Sequence, residues 1–231
     1  FTSSGSALTD IWSTDTTMAA QLSGAGWNMG RKVVTWNKDH ASGARGVPFR
    51  LNDISASMKS ALDTSYVSGD DSADYLNYLR GDKANEQGTA TGKQVYRTRT
   101  GPLGDVVNSK LVLSYAPNMR YLEAFNKGYA AFKTTYASRT PLVLFGANDG
   151  MLHAFDAANG SEVMAYVPGA LTNRLAEVPL HRNAITRLAA QNFVQGTEVK
   201  PSGVVWPYVD GNAFTADVKT GSNWRTYVFG S

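Results

Sequence analysis

The chain has 231 residues, no cysteine, and 22 Lys and Arg against 19 Asp and Glu, enough length to bury a core as one large all-β domain or two small ones. The missing thiols exclude thiolate catalysis, cysteine-based zinc sites and disulfide scaffolds, and the near balance of charge gives no sign of nucleic-acid binding. No apolar run reaches the roughly 18 residues of a membrane-spanning helix.

Residues 1–26 are rich in Ser, Thr, Gly and Ala without a sustained hydrophobic period, and predict a polar linker or a peripheral segment laid over a neighbour. Spaced glycines in "GAGWNMG" at 24–30 lack a preceding strand and read as a turn, not a nucleotide loop. Residues 27–231 form the body. Arg31 to Trp36 predicts a strand, "NKDHASGARG" a polar loop and 47–50 the returning strand of a hairpin. From Asn52 to Arg80 the period becomes helical: Asp53 or Ser55 caps one short helix, and Asp74 caps a second that Gly81 ends, with Leu76 and Leu79 on its buried side. Strands are expected again over 104–117, then an amphipathic helix over 119–139 weakened by Gly128.

The strongest signal is "LVLFGANDGMLHAFDAANGSEVMAYVP" at 142–168. It predicts three strands, 142–147, 151–156 and 162–167, joined by a tight turn at Asn148-Asp149-Gly150 and another at 157–160, and stopped by Pro168. Gly150 needs a positive φ for that turn. A turn of helix follows within "GALTNRLAEVPLH", and β signals return in "NFVQG", "GVVWPYVDGNAF" and "WRTYVFGS".

Chemistry is sparse. His40, His153 and His181 have none of the short spacings of a zinc site, and His153 reads as a packed, hydrogen-bonded strand residue. No nucleophile elbow, P-loop or dinucleotide fingerprint occurs. Asp70, Asp71 and Asp74 are close in sequence, but their stretch lacks the mid-loop glycine and distal acid of a calcium loop. Arg80-Gly81-Asp82 spells an integrin-type tripeptide, yet follows a helix and reads as part of the fold. Trp206, Tyr208, Phe214, Trp224 and Tyr227 crowd the last part of the chain, as packing between sheets or as a partner surface.

Ala154, Asp156 and Gly160 stand where quinoprotein propellers carry an Ala-x-Asp-x-x-Thr-Gly repeat, with Asn159 for the threonine and Met164 for the tryptophan that follows. More widely, "GVPFRLNDIS", "YLNYLRGDKANE", "YRTRTGPLGDVVNSKLVL", "LVLFGANDGMLHAFDAANG" at 142–160, "AYVPGAL" and "WRTYVFGS" occur in the order seen in the C-terminal domain of PilY1-type proteins. The chain thus resembles that family of type IV pilus biogenesis factors and tip-associated adhesins. The resemblance implies a mainly β fold, part of a modified, quinoprotein-like β-propeller with helical insertions, of which 27–231 is the N-terminal portion continuing beyond the chain end. It implies structural signature residues Gly146, Asn148, Asp149, Gly150, Asp156 and Gly160, and no catalytic or metal residues. No cofactor is expected in this chain, whereas calcium is expected in the full-length family domain downstream of Ser231. Implied partners are type IV pilus minor pilins or the pilus tip, and a host-cell or surface receptor, with neither nucleic acid nor small-molecule substrate. The implied role is non-enzymatic: promoting surface piliation, opposing retraction and supporting twitching or attachment, from the periplasm, outer membrane, cell surface or pilus tip. The alternatives are a quinone-dependent propeller dehydrogenase and an outer-membrane assembly scaffold.

Overall fold

A computed structural model describes residues 2–4, 7–62, 72–94, 96, 98–172 and 209–230. The expected meander is its centre. Strands β6 (Leu142–Ala147), β7 (Met151–Asp156) and β8 (Glu162–Tyr166) pair antiparallel in succession. A short β5 (Val112–Ser114) adds to β6, while β3 (Val33–Trp36) and β4 (Gly46–Pro48) add beyond β8, giving the open six-stranded order β4-β3-β8-β7-β6-β5. The β3–β4 hairpin is as expected, but its parallel pairing with β8, Val33 to Ala165 and Val34 to Tyr166, joins segments far apart in sequence. Gly150 has φ +84° at the β6–β7 turn, and its N–H donates to the Ala147 carbonyl at 3.0 Å. Gly150→Ala is expected to cost about 1 kcal/mol, read as a lowered urea midpoint; an unchanged midpoint would mean the turn relaxes freely.

Hydrophobic residues cover one sheet face through helices. Helices α2 (Ala56–Leu62) and α3 (Ser72–Arg80) bring Met58, Leu62, Tyr75, Leu76 and Leu79 onto Val33, Met151, Ala165 and Val167. Ser55 caps α2, its Oγ accepting from Met58 N at 3.2 Å. Gly81, at φ +118°, ends α3, whereas Asp74 lies inside its first turn and pairs with Lys93. Met18 of α1 (Thr14–Gly30) and Trp12 pack with Val143, Phe145 and Phe155.

The amino-terminal segment read as a linker is therefore helical from Thr14. Ser13 caps α1, Asp15 sits favourably in its first turn, and Met18 is its buried residue, so the sequence carries little amphipathic period. Gly24 to Gly30 lies in this helix, which Gly26 kinks at φ +67°, in place of the expected turn.

Two further expectations are corrected. Over 104–117 only β5 is a strand, because the preceding backbone hydrogen bonds go elsewhere: Gly104 N to Asp149 Oδ2, Asn108 N to Asp210 Oδ1 and Lys110 N to Asn212 Oδ1. Over 119–139 only α4 (Tyr129–Thr135) is helical. Gly128, at φ +87°, is its left-handed N-cap, and the Glu123 carboxylate accepts the Gly128 and Ala130 N–H groups, which holds it below the usual carboxylate range.

Strands β1 (Thr2–Ser4) and β2 (Ala7–Thr9) pair antiparallel with each other, and β9 (Phe214–Thr220) and β10 (Asn223–Phe229) form a separate hairpin. Only β10 is foreshadowed by a β signal; Asp217 and Lys219 hide β9, yet Asp217 is buried and accepts from Tyr129 and Thr226 hydroxyls, each at 2.6 Å. Trp224 packs on Tyr121 and edge-on to Tyr129, while Phe214 stacks on Phe229 at the surface. Tyr227 bonds Thr220, and Trp206, Tyr208, His181 and the "NFVQG" stretch lie outside the described residues. The expected turn of helix is seen at Gly169–Thr172.

Candidate functional site

One signature residue, Asp149, belongs to a buried ionic network. A register shift between Ala154 and Phe155 places Glu162 opposite Phe155, on the face that also carries His153. Glu162 takes a two-pronged contact from Arg31, Nε to Oε2 at 2.7 Å and Nη2 to Oε1 at 2.8 Å, and accepts from His153 Nδ1 at 2.9 Å. His153 Nε2 lies 3.1 Å from both Asp149 oxygens. The side chains of Arg31, Glu162 and His153 are fully buried.

Four charges of balancing sign thus occupy one dry site. Burial alone would push the His153 imidazole down, but Asp149 and then Glu162 outweigh it and hold it at about 9. Burial would push Glu162 up, but Arg31 and then His153 hold it at about 2. Burial likewise opposes the Arg31 charge, and Glu162 followed by Asp149 raises that guanidinium.

The outer contacts show what the network joins. Asp149 also accepts from Gly104 N and Met151 N, each at 3.2 Å, and Arg31 Nη1 donates to the Arg80 carbonyl at 3.1 Å. Gln21 of α1 bonds both backbone groups of Glu162, accepting at 3.0 Å and donating at 3.1 Å. One cluster therefore fixes α1, the end of α3, the loop at 104 and strands β7 and β8. With its charges matched and nearly all buried, it clamps the fold.

The remaining signature positions act through backbone geometry. A Cβ on Gly146 would overlap the Val209 carbonyl, so the glycine admits a close backbone approach, and its N–H donates to Ser109 Oγ at 2.9 Å. Asp156 Oδ1 accepts from Ala158 N at 2.8 Å and Oδ2 from the Asn159 side chain at 3.2 Å. Gly160 has φ +71° and lies against the Trp12 ring, whose Nε1 donates to the Ala157 carbonyl at 3.0 Å. Asn148 is buried, its side-chain polar atoms have no hydrogen-bond partner among the described residues, and its N–H donates to the Asp105 carbonyl.

His153 has the packed, hydrogen-bonded environment read from sequence, but local pattern singles out neither its partner Glu162 nor Arg31, which pairs with that glutamate. Their signal was a single charge at the start of an apolar strand, visible only once register is known. The Arg-Gly-Asp tripeptide is not presented: Arg80 is 3% exposed, lies over the Trp27 ring and donates to Asn28. Among the described residues no three His, Asp or Glu side chains come together to hold a metal ion. Asp149 and Glu162 do not fit calcium, since their oxygens are committed to His153 and Arg31, and Asp70 and Asp71 lie outside the described residues. No described helix is long and apolar enough to cross a membrane.

Residues 103–231 match the family model described as the PilY1 beta-propeller domain. A Type IV pilus biogenesis factor PilY1 homolog of Xylella fastidiosa is 40% identical over 165 residues, 69% of this chain and 12% of that protein. The Type IV pilus biogenesis factor PilY1 of Pseudomonas aeruginosa strain PAK is 30% identical over 232 residues, 96% of this chain and 17% of that protein. The chain thus spans less than a fifth of the length of these relatives. No solved structure matches it.

Proposed function

The chain belongs to the PilY1 β-propeller family, and on that premise we propose that it is part of a type IV pilus biogenesis factor, acting as a non-enzymatic module that supports surface piliation. The observation that carries this is the family match over 103–231, reinforced by relatives named as type IV pilus biogenesis factors. In this reading the sheet and its helices form part of a quinoprotein-like propeller at the pilus base or tip. The module opposes retraction, meets minor pilins, and supports twitching or attachment from an extracytoplasmic position. The closed ion network fits such work, because a module that bears load must hold one packing.

The test uses the full-length protein in its own cell. Glu162→Ala should lower both exported folded protein and surface pili, seen by immunoblot and pilus counting. Removing the pilus-retraction motor should restore part of the pili. Normal piliation despite loss of the folded protein would remove this region from assembly and leave attachment as its role. The non-enzymatic reading has its own check: pyrroloquinoline quinone with calcium should give neither a tight adduct nor alcohol-dependent dye reduction. Stoichiometric binding with turnover would overturn it.

A further inference from the structure

Arg50 and Arg80 converge on a side chain that carries no charge. Arg50 donates from Nη1 to Asn28 Oδ1 at 2.7 Å and from Nη2 to the Asn28 carbonyl at 2.9 Å. Arg80 Nη2 donates to the same two oxygens, each at 3.0 Å. Among the described residues neither guanidinium has a carboxylate within ion-pair distance, whereas Arg31 and Arg99 are each paired with a buried glutamate.

Two like charges sharing a neutral acceptor repel one another, and among the described residues no acid sits within ion-pair distance of either. Burial first, then Arg50 and Arg31, push the Arg80 guanidinium down to about 10, with Asp82 opposing in part. Arg80 is held in place from behind: it lies 5.0 Å over the Trp27 ring, and its Nη1 is 3.5 Å from Asn77 Oδ1. Arg50 is half-buried and Asn28 exposed, whereas Arg80 is buried beneath them, so an anion meets the Arg50 fork first and reaches Arg80 only where Asn28 gives way.

We propose that Arg50 and Arg80 form a binding site for a single oxyanion, a carboxylate or a phosphate, which displaces Asn28 as their shared acceptor. Guanidinium forks match both groups in geometry, and charge-assisted bonds are stronger than the neutral ones they replace. The same chemistry can come from a free phosphate or from an acidic side chain of a protein partner.

The experiment titrates the full chain with inorganic phosphate, followed by phosphorus NMR line width, and with a short glutamate-rich peptide, followed by calorimetry. Saturable binding of at least one probe is expected. Arg50→Gln should weaken it about tenfold or more, and Arg50→Lys, which keeps charge without the fork, should fall between. Asn28→Ala removes the Oδ1 acceptor from both forks, leaving only the backbone carbonyl, and should bind at least as tightly as the parent. Stronger phosphate binding identifies a free ion as the source, and stronger peptide binding an acidic partner. Circular dichroism and melting establish that each variant is folded. Failure of both probes to saturate the parent protein, or equal binding by parent and folded Arg50→Gln, would overturn the site and leave the arginines a structural pair.

Discussion

Glu162→Ala is expected to cost about 3–5 kcal/mol, measured as a lowered urea midpoint with unchanged slope, because it leaves Arg31 charged and buried without its partner. The size comes from the uncompensated charge and exceeds any net contribution of the pair itself. Replacing both partners with apolar residues, as Arg31→Met with Glu162→Leu, should therefore recover much of the loss. If the single substitution costs under about 1 kcal/mol, water reaches the cluster and the site is not dry.

The same network sets a pH window. The folded pKa of His153 is raised from 6.5 to about 9, so its contribution is fully present below 6.5 and is lost as pH rises through 9. Glu162 is lowered from 4.5 to about 2, so its contribution is present above 4.5 and is lost as pH falls toward 2. Stability from this cluster should plateau between these limits and decline on both sides. His153→Gln should flatten the alkaline decline, and a decline unchanged by that substitution would place its origin elsewhere.

Gly160→Ala is the second large effect, at about 2–3 kcal/mol. An L side chain at φ +71° is strained by about 1 kcal/mol, and the new Cβ would overlap the Trp12 ring. The two causes separate in a double-mutant cycle. With Trp12→Ala the overlap is gone, and Gly160→Ala should then cost only about 1 kcal/mol. Equal costs in the two backgrounds would show that Trp12 does not seat on this turn in solution.

Trp12 shows how much of the design lay outside local pattern. Its sequence neighbourhood is polar, so the indole looked incidental; the structure brings it to the 157–160 turn and onto Phe155 at 6.5 Å between ring centres. In the repeat that this segment resembles, a tryptophan follows the glycine, and here that position is Met164. An indole from elsewhere in the chain packs on the turn instead, a contact that no window of sequence contains.

Sequence alone determined the β6–β7–β8 meander, the β3–β4 hairpin and the capped helices α2 and α3, because alternation, turn glycines and caps act within a few residues. It also carried the family, through ordered segments whose glycines and aspartates serve local backbone geometry. Tertiary structure decided the rest. The β3–β8 pairing and the arrival of Arg31 at Glu162 depend on residues far apart in the chain, while the register shift that turns Glu162 inward lies within the β7–β8 hairpin without a mark in local pattern. Likewise, 104–111 is loop because its N–H groups find Asp149, Asp210 and Asn212, acceptors supplied only after the chain has folded back on itself. Local propensities are summed over neighbouring residues, whereas a buried charge is stable only where distant chain delivers its counter-charge.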